Sequence, residues 1–248
     1  MLRVVFLMVC AAILAFQCIE AGKDQWQYRQ AEKEYKGWID DTKEKDDGTR
    51  VINFEDLQKI NPDIVAWIQI PDTTIDYPVV QGRDNDYYLN HTAAGKENHS
   101  GAIFLDAGCD RDFSEGNYIL YGHNLRTKKM FGMLKVLYDP YYQGESSCQA
   151  PPDIFIRTPG EEITYHVFSV RRVDLKRQNG IYILDFADED SWTDYVTRAA
   201  GQSLLPGDGL PVRETSLLTL STCTSDSDDG RLVIQAYEAG RNPAGGKR

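Results

Sequence analysis

Three side chains scattered through this 248-residue chain could together break and remake an acyl bond: the Cys223 thiol, the His123 imidazole and the Arg231 guanidinium. A thiolate is a strong nucleophile, but an ordinary thiol is mostly protonated near neutrality and needs a partner to exchange protons. An imidazole suits that exchange, and a guanidinium suits the negative oxygen that forms when a thiolate adds to a carbonyl. Cys223 closes the apolar run Ser216–Thr222, a polar loop from Thr224 to Gly230 follows, and Arg231 opens a second apolar run to Tyr237. If the two runs pair across that loop, thiol and guanidinium meet at one end of a sheet. His123 occupies a similar place, in the Gly122-His123-Asn124 turn after the strand-like Asn117–Tyr121. His91, His99 and His166 lie in settings better suited to surface or structural roles. Taken singly, a buried thiol accounts for Cys223 as well, and a surface ion pair to Asp226, Asp228 or Asp229 accounts for Arg231.

The elements that must position these groups are mostly short strands. Strand-like runs occur at 64–70, 74–80, 101–105, 117–121, 153–157, 163–173, 215–222 and 231–238, the first two flanking a Pro-Asp turn as a hairpin. Asn53 is placed to cap a short helix that Asn61-Pro62 ends, and further helices are expected at 84–90, at 128–138 behind Thr127, and at 191–200 behind a Ser191 cap. Strands joined by turns, without regular crossover helices, point to a mainly β fold with short helices: a closed or nearly closed barrel, not a doubly wound sheet. Residues 24–37 suit an amphipathic helix, and 40–48 a charged linker. The expected organisation is therefore an N-terminal segment over 1–22, a helix and linker over 23–50, one catalytic domain over 51–240 and a flexible tail over 241–248.

Composition narrows the partners. Thirty-eight acidic residues against 27 Lys and Arg give a net charge of −11, which opposes binding to nucleic acid. The five cysteines show no C-x-x-C and no paired histidine spacing, so a structural metal is not expected; Cys109 and Cys148 read as unpaired thiols, with a disulfide between them the alternative. Val4–Ile19 is uncharged and apolar, with Arg3 before it and Glu20 after it. It reads as a single-pass membrane anchor, with a cleaved signal peptide as the alternative that bulky Ile19 before Ala21 disfavours.

The order and flanking strands of Tyr121-Gly122-His123-Asn124 and Thr219-Leu220-Ser221-Thr222-Cys223, with the arginine that opens the next strand, resemble the signature of sortases. Asn61–Gly82, Asp84–His91 and Met130–Leu134 resemble the class B branch. The resemblance spans roughly residues 24–240 and implies an eight-stranded sortase β-barrel with an N-terminal helix and a groove on the barrel wall. It also implies that Cys223, His123 and Arg231 are catalytic, and that Asn85, Leu89, Tyr182, Ile183 and Ser221 line the substrate groove. The implied activity is that of a cysteine transpeptidase at a Gram-positive cell surface, its catalytic domain extracellular. It would cleave the C-terminal sorting signal of a surface protein through a thioacyl-enzyme and transfer the acyl group to an amine of a peptidoglycan precursor, without a cofactor. A pilin-polymerising enzyme with a lysine acceptor, a thiol hydrolase, and a silent membrane-anchored binding module are the other readings. The first differs in acceptor, the second in using water, and the third in leaving the three residues apart.

Overall fold

The computed structural model describes residues 2–40, 43–44, 50–114, 116–142, 151–205, 210–212, 215–224 and 229–244. Eight strands close into a barrel: β1 (Ile64–Gln69), β2 (Asp76–Val80), β3 (Ile103–Leu105), β4 (Asn117–Tyr121), β5 (Ile154–Arg157), β6 (Glu161–Asp174), β7 (Leu217–Cys223) and β8 (Gly230–Pro243). Their order around the wall is β8-β6-β5-β1-β2-β3-β4-β7, with β7 returning to β8. Each expected strand run is therefore a barrel strand. Alternation along them follows the period of two: Leu218 and Leu220 on β7, and Tyr118 and Leu120 on β4, belong to the interior cluster with Trp67, Ile156 and Ile234. Closure leaves no unpaired edge, which suits a chain so rich in short apolar strands.

Two of the neighbouring pairs, β2/β3 and β4/β7, are parallel. Parallel neighbours need a long crossover, and the one from β2 to β3 spans residues 81–102. It contains a single 3₁₀ turn, Tyr87–Leu89, where a helix over 84–90 was expected. The reason is local: the Asp84 carboxylate accepts the N–H groups of Asp86 and Tyr87 at 2.9 and 2.8 Å, closing an Asx turn that competes with a longer helix.

Helix α1 runs without a break over Leu2–Asp40, α2 over Phe54–Ile60, α3 over Gly132–Tyr142 and α4 over Glu189–Gly201. Asn53 caps α2 as expected. Helix α3 starts four residues later than the sequence suggests, because Lys128 and Met130 adopt left-handed backbone (φ 60° and 48°) and Phe131 donates its N–H to the His123 carbonyl at 3.1 Å. Gly132 is required there: a Cβ would lie 2.2 Å from the Leu125 carbonyl oxygen. The cap of α4 is Asp188 rather than Ser191. Ser191 is the third residue inside, and the two form a reciprocal capping box.

The expected single-pass anchor is not supported: among the described residues no helix is long and apolar enough to cross a membrane. The uncharged run Val4–Ile19 reaches only about 24 Å at ~1.5 Å per residue, short of a ~30 Å hydrocarbon layer. Glu20, Lys23 and Asp24 then continue in the same helix. At the other end, β8 extends to Pro243 and so includes residues assigned above to a tail. Lys43–Glu44 pairs with Arg50–Val51 as a small ribbon within the stretch read as a linker. Cys148 and the acids Asp226 and Asp228 lie outside the described residues.

Candidate active site

The site is built from strand register. On β7, Leu217, Thr219, Ser221 and Cys223 point away from the barrel interior, and β4 runs parallel beside it with Tyr121 level with Ser221. His123 lies two residues past this last pair, in the turn that leaves β4, between Gly122 and Asn124, which both bond to β7. On the other side β8 runs antiparallel, with Arg231 directly opposite Cys223. Cys223 and Arg231 therefore stand side by side in a row across β7 and β8, and the turn that carries His123 is tied to the same end of β7. Two hydrogen bonds fasten β4 to β7 here: Gly122 N–H to the Ser221 carbonyl at 3.3 Å, and Asn124 Nδ2 to the Cys223 carbonyl at 2.9 Å. The sequence pairs Asn124 with His123 as neighbours but gives no sign of this cross-strand bond.

Below the row, the outer wall is covered. Tyr195 of α4 donates its hydroxyl to the Ile181 carbonyl at 2.8 Å, and Asn117 of β4 donates to the Ile183 carbonyl at 2.6 Å. Thr219 donates to Asn117, and Gln235 donates to the Tyr195 hydroxyl, so a buried polar network pins residues 181–183 to the barrel. Tyr182 is thereby held over β7, where its hydroxyl and that of Ser221 share a 2.7 Å hydrogen bond. Burial raises the Tyr182 phenol above its ordinary value, while Arg231 nearby lowers it and Cys223 raises it. The cover ends at this level. Ser221 is buried and Cys223, two residues on, is exposed.

His123 is oriented from the β2–β3 crossover. Its Nε2 lies 2.7 Å from the Leu89 carbonyl oxygen. A carbonyl only accepts, so Nε2 carries a proton and Nδ1 is left as the nitrogen that can accept one. Gly101 backs this arrangement with φ +59°. A Cβ there would stand 2.7 and 2.8 Å from the carbonyl oxygens of Tyr88 and Leu89, and 3.0 Å from His123 Cδ2. Arg231 donates from its guanidinium to the Gly230 carbonyl at 2.9 Å, and Thr224 N–H returns to the same carbonyl at 3.0 Å.

The remaining groove candidates divide. Leu89 is half-buried against the interior cluster and meets His123 through its carbonyl, a contact that side-chain type does not announce. Ile183 packs with Trp192 and Tyr195 in a second cluster. Asn85 is engaged by its own surroundings, donating to Asp106 at 2.9 Å and accepting from Ala107 N–H at 2.8 Å. Asp106 also accepts from the Tyr121 hydroxyl at 2.9 Å, and the Tyr121 and Tyr182 rings meet edge to face at 5.7 Å. Asp106 and Tyr121 thus connect Asn85 to Tyr182, a link absent from the sequence reading because it crosses from one loop to the outer face of β4. Among the described residues no cluster of His, Cys, Asp or Glu is arranged to hold a metal ion.

Comparison with known proteins gives one family. A family profile described as "Sortase domain" matches residues 68–239. Sortase B of Listeria monocytogenes is 32% identical over 210 residues, covering 79% of this chain and 82% of that protein. The crystal structure of sortase B from B. anthracis in complex with AAEK1 superposes with a TM-score of 0.71 at 30% identity, covering 86% of this chain and 98% of that one. A Staphylococcus aureus sortase B–substrate complex gives a TM-score of 0.65 at 30% identity, over 75% of this chain and 83% of that chain.

Proposed function

The chain belongs to the sortase family, in its class B branch, and we propose that this cell-wall sorting transpeptidase uses Cys223 as nucleophile, His123 as proton carrier and Arg231 as oxyanion partner. The supporting observation is the pairing of Arg231 with Cys223, with the His123 turn tied to β7 by the Gly122–Ser221 and Asn124–Cys223 hydrogen bonds.

The Cys223 thiolate adds to the carbonyl carbon of a Thr-Gly-like or Thr-Asn-like bond in a C-terminal sorting signal, forming a C–S bond and a tetrahedral oxyanion. Arg231 and backbone N–H groups stabilise that oxygen. The C–N bond then breaks, the leaving amine takes a proton from Nδ1 of the imidazolium, and a thioacyl-enzyme remains. An incoming amine, from a peptidoglycan precursor or a pilin lysine, attacks the thioester and loses its proton to Nδ1, and the thiolate departs.

The S. aureus relative is described as a substrate complex, which supports a peptide ligand here. We assign the peptide to the outer wall beside the row, between Tyr182, Ile183 and Ser221 on one side and Asn85 and Leu89 on the other. Residues 51–240 make up the catalytic domain in this assignment. Mass spectrometry of the protein with a sorting-signal peptide library and amine acceptors tests the proposal. A thioacyl adduct or amine-ligated product is expected in the wild type and lost in Cys223→Ala. Product formed by water at a rate that amine leaves unchanged would instead indicate a thiol hydrolase.

A further inference from the structure

Helix α1 reaches both chain segments that bracket His123. On one side, the Asn98 side chain donates to the Gln27 carbonyl at 2.8 Å and Ala93 N–H donates to the Tyr35 hydroxyl at 3.0 Å. The Ala93–Tyr35 tie is buried and the Asn98–Gln27 tie part-buried. Asn98 then directs the turn against the histidine. Its Oδ1 accepts from Ser100 N–H and Oγ at 2.9 and 2.8 Å, and its carbonyl accepts from Gly101 N–H at 3.0 Å. Gly101 lies against the His123 ring and the Leu89 carbonyl that accepts from Nε2. On the other side, Glu32 pairs with Lys129 at 2.8 Å, and the Tyr35 ring meets Tyr77 edge to face at 5.6 Å. Met130 in that segment bridges to Asn124.

The two sides are not equally tight. The seam between α1 and residues 125–130 encloses a cavity of about 380 Å³ lined by Tyr28, Tyr35, Leu125 and Met130, and the ion pair across it is half-exposed. Exposed ion pairs hold geometry weakly. The Asn98 side has directional hydrogen bonds that are buried or part-buried, and it leads to Leu89, whose carbonyl fixes the tautomer.

We propose that α1 positions the acid–base histidine, with Asn98 and Tyr35 as positioning residues that hold the Leu89–Gly101 segment against His123. This rests on His123 as the proton carrier proposed above. Without the ties, the Leu89 carbonyl moves from Nε2, the imidazolium loses a hydrogen-bond acceptor, and the proton it needs for the leaving amine is held less firmly.

Two full-length variants test this. Asn98→Asp keeps an oxygen to accept from Ser100 but sets a carboxylate oxygen against the Gln27 carbonyl. Tyr35→Phe keeps the ring and removes the acceptor for Ala93. Both are expected to lower kcat for amine transfer about tenfold with KM unchanged, as small misplacements of a reacting group do. The alkaline limb of the kcat–pH profile is expected to move to lower pH, and the ¹⁵N resonance of His123 Nε2 to shift. A fall in melting temperature with kcat per folded enzyme, pH limb and resonance all unchanged would overturn the proposal. His123→Ala belongs in the same series. If it retains turnover, the proton-carrier reading itself fails; if it abolishes turnover while Asn98→Asp and Tyr35→Phe keep theirs, only the positioning role fails.

Discussion

Cys109 and Cys223 are both free thiols next to turns, and their surroundings differ in almost every respect that governs reactivity. Cys109 follows β3 in the Asp106–Asp110 turn, half-buried against the barrel interior, with its thiol directed at the Asn117 carbonyl at 3.6 Å. Burial first, then the carboxylates of Asp106, Asp110 and Asp185, push that thiol up to about 12. Cys223 ends β7 beyond the cover of residues 181–183, is exposed, and has Arg231 across the strand pair. A thiol wrapped by apolar atoms and acids stays protonated and out of reach; one exposed at a strand end can be reached by a substrate. What separates them is position in the barrel, since residue type is the same.

The largest effect should come from exchanging their fates. Cys223→Ala is expected to reduce formation of the amine-ligated peptide by on the order of 10⁴-fold or more, because the covalent step is lost. Cys109→Ala should leave turnover unchanged. Chromatographic quantitation of ligated peptide at saturating amine would decide it, and loss of product in Cys109→Ala with retention in Cys223→Ala would reverse the assignment.

A smaller effect should follow from changing only what stands opposite the exposed thiol. Arg231→Lys keeps the charge but loses the planar fork, and is expected to lower kcat roughly 10²-fold with little change in KM, as removal of a transition-state contact does. Unchanged kcat with raised KM would place Arg231 in ground-state peptide binding instead.

Much of this contrast can be read from the sequence. The strand runs are legible because alternation and turn residues are local signals, so all eight barrel strands and the loop between Cys223 and Arg231 are visible in the chain. The parallel pairing of β4 with β7, which brings the His123 turn beside Cys223, is not. It depends on closing a barrel between residues about a hundred apart. Backbone partners are hidden for a related reason: the Leu89 carbonyl carries no residue identity, and its direction is set by the Gly101 turn and the crossover. The apolar N-terminal run shows the opposite error. Local composition suggested a span, whereas the helix that contains it becomes charged within a few residues.

The smallest effect sharpens the comparison from the Cys109 side. Its folded-state value lies above the ordinary 9.0, so between these values the folded protein retains a proton that the unfolded chain releases. Stability must then fall as pH rises through that window. Below pH 9 the contribution is fully present, and it is lost progressively toward pH 12. Cys109→Ala removes the group and should flatten the curve, so urea titrations at pH 7.5 and pH 10 are expected to show a larger loss for the wild type than for the variant. The difference should stay well under the ~1.4 kcal/mol per pH unit that a fully buried group could give, because Cys109 is only half-buried. Equal losses in the two proteins would mean that Cys109 is as accessible to water as Cys223, and that position in the barrel does not separate the two thiols.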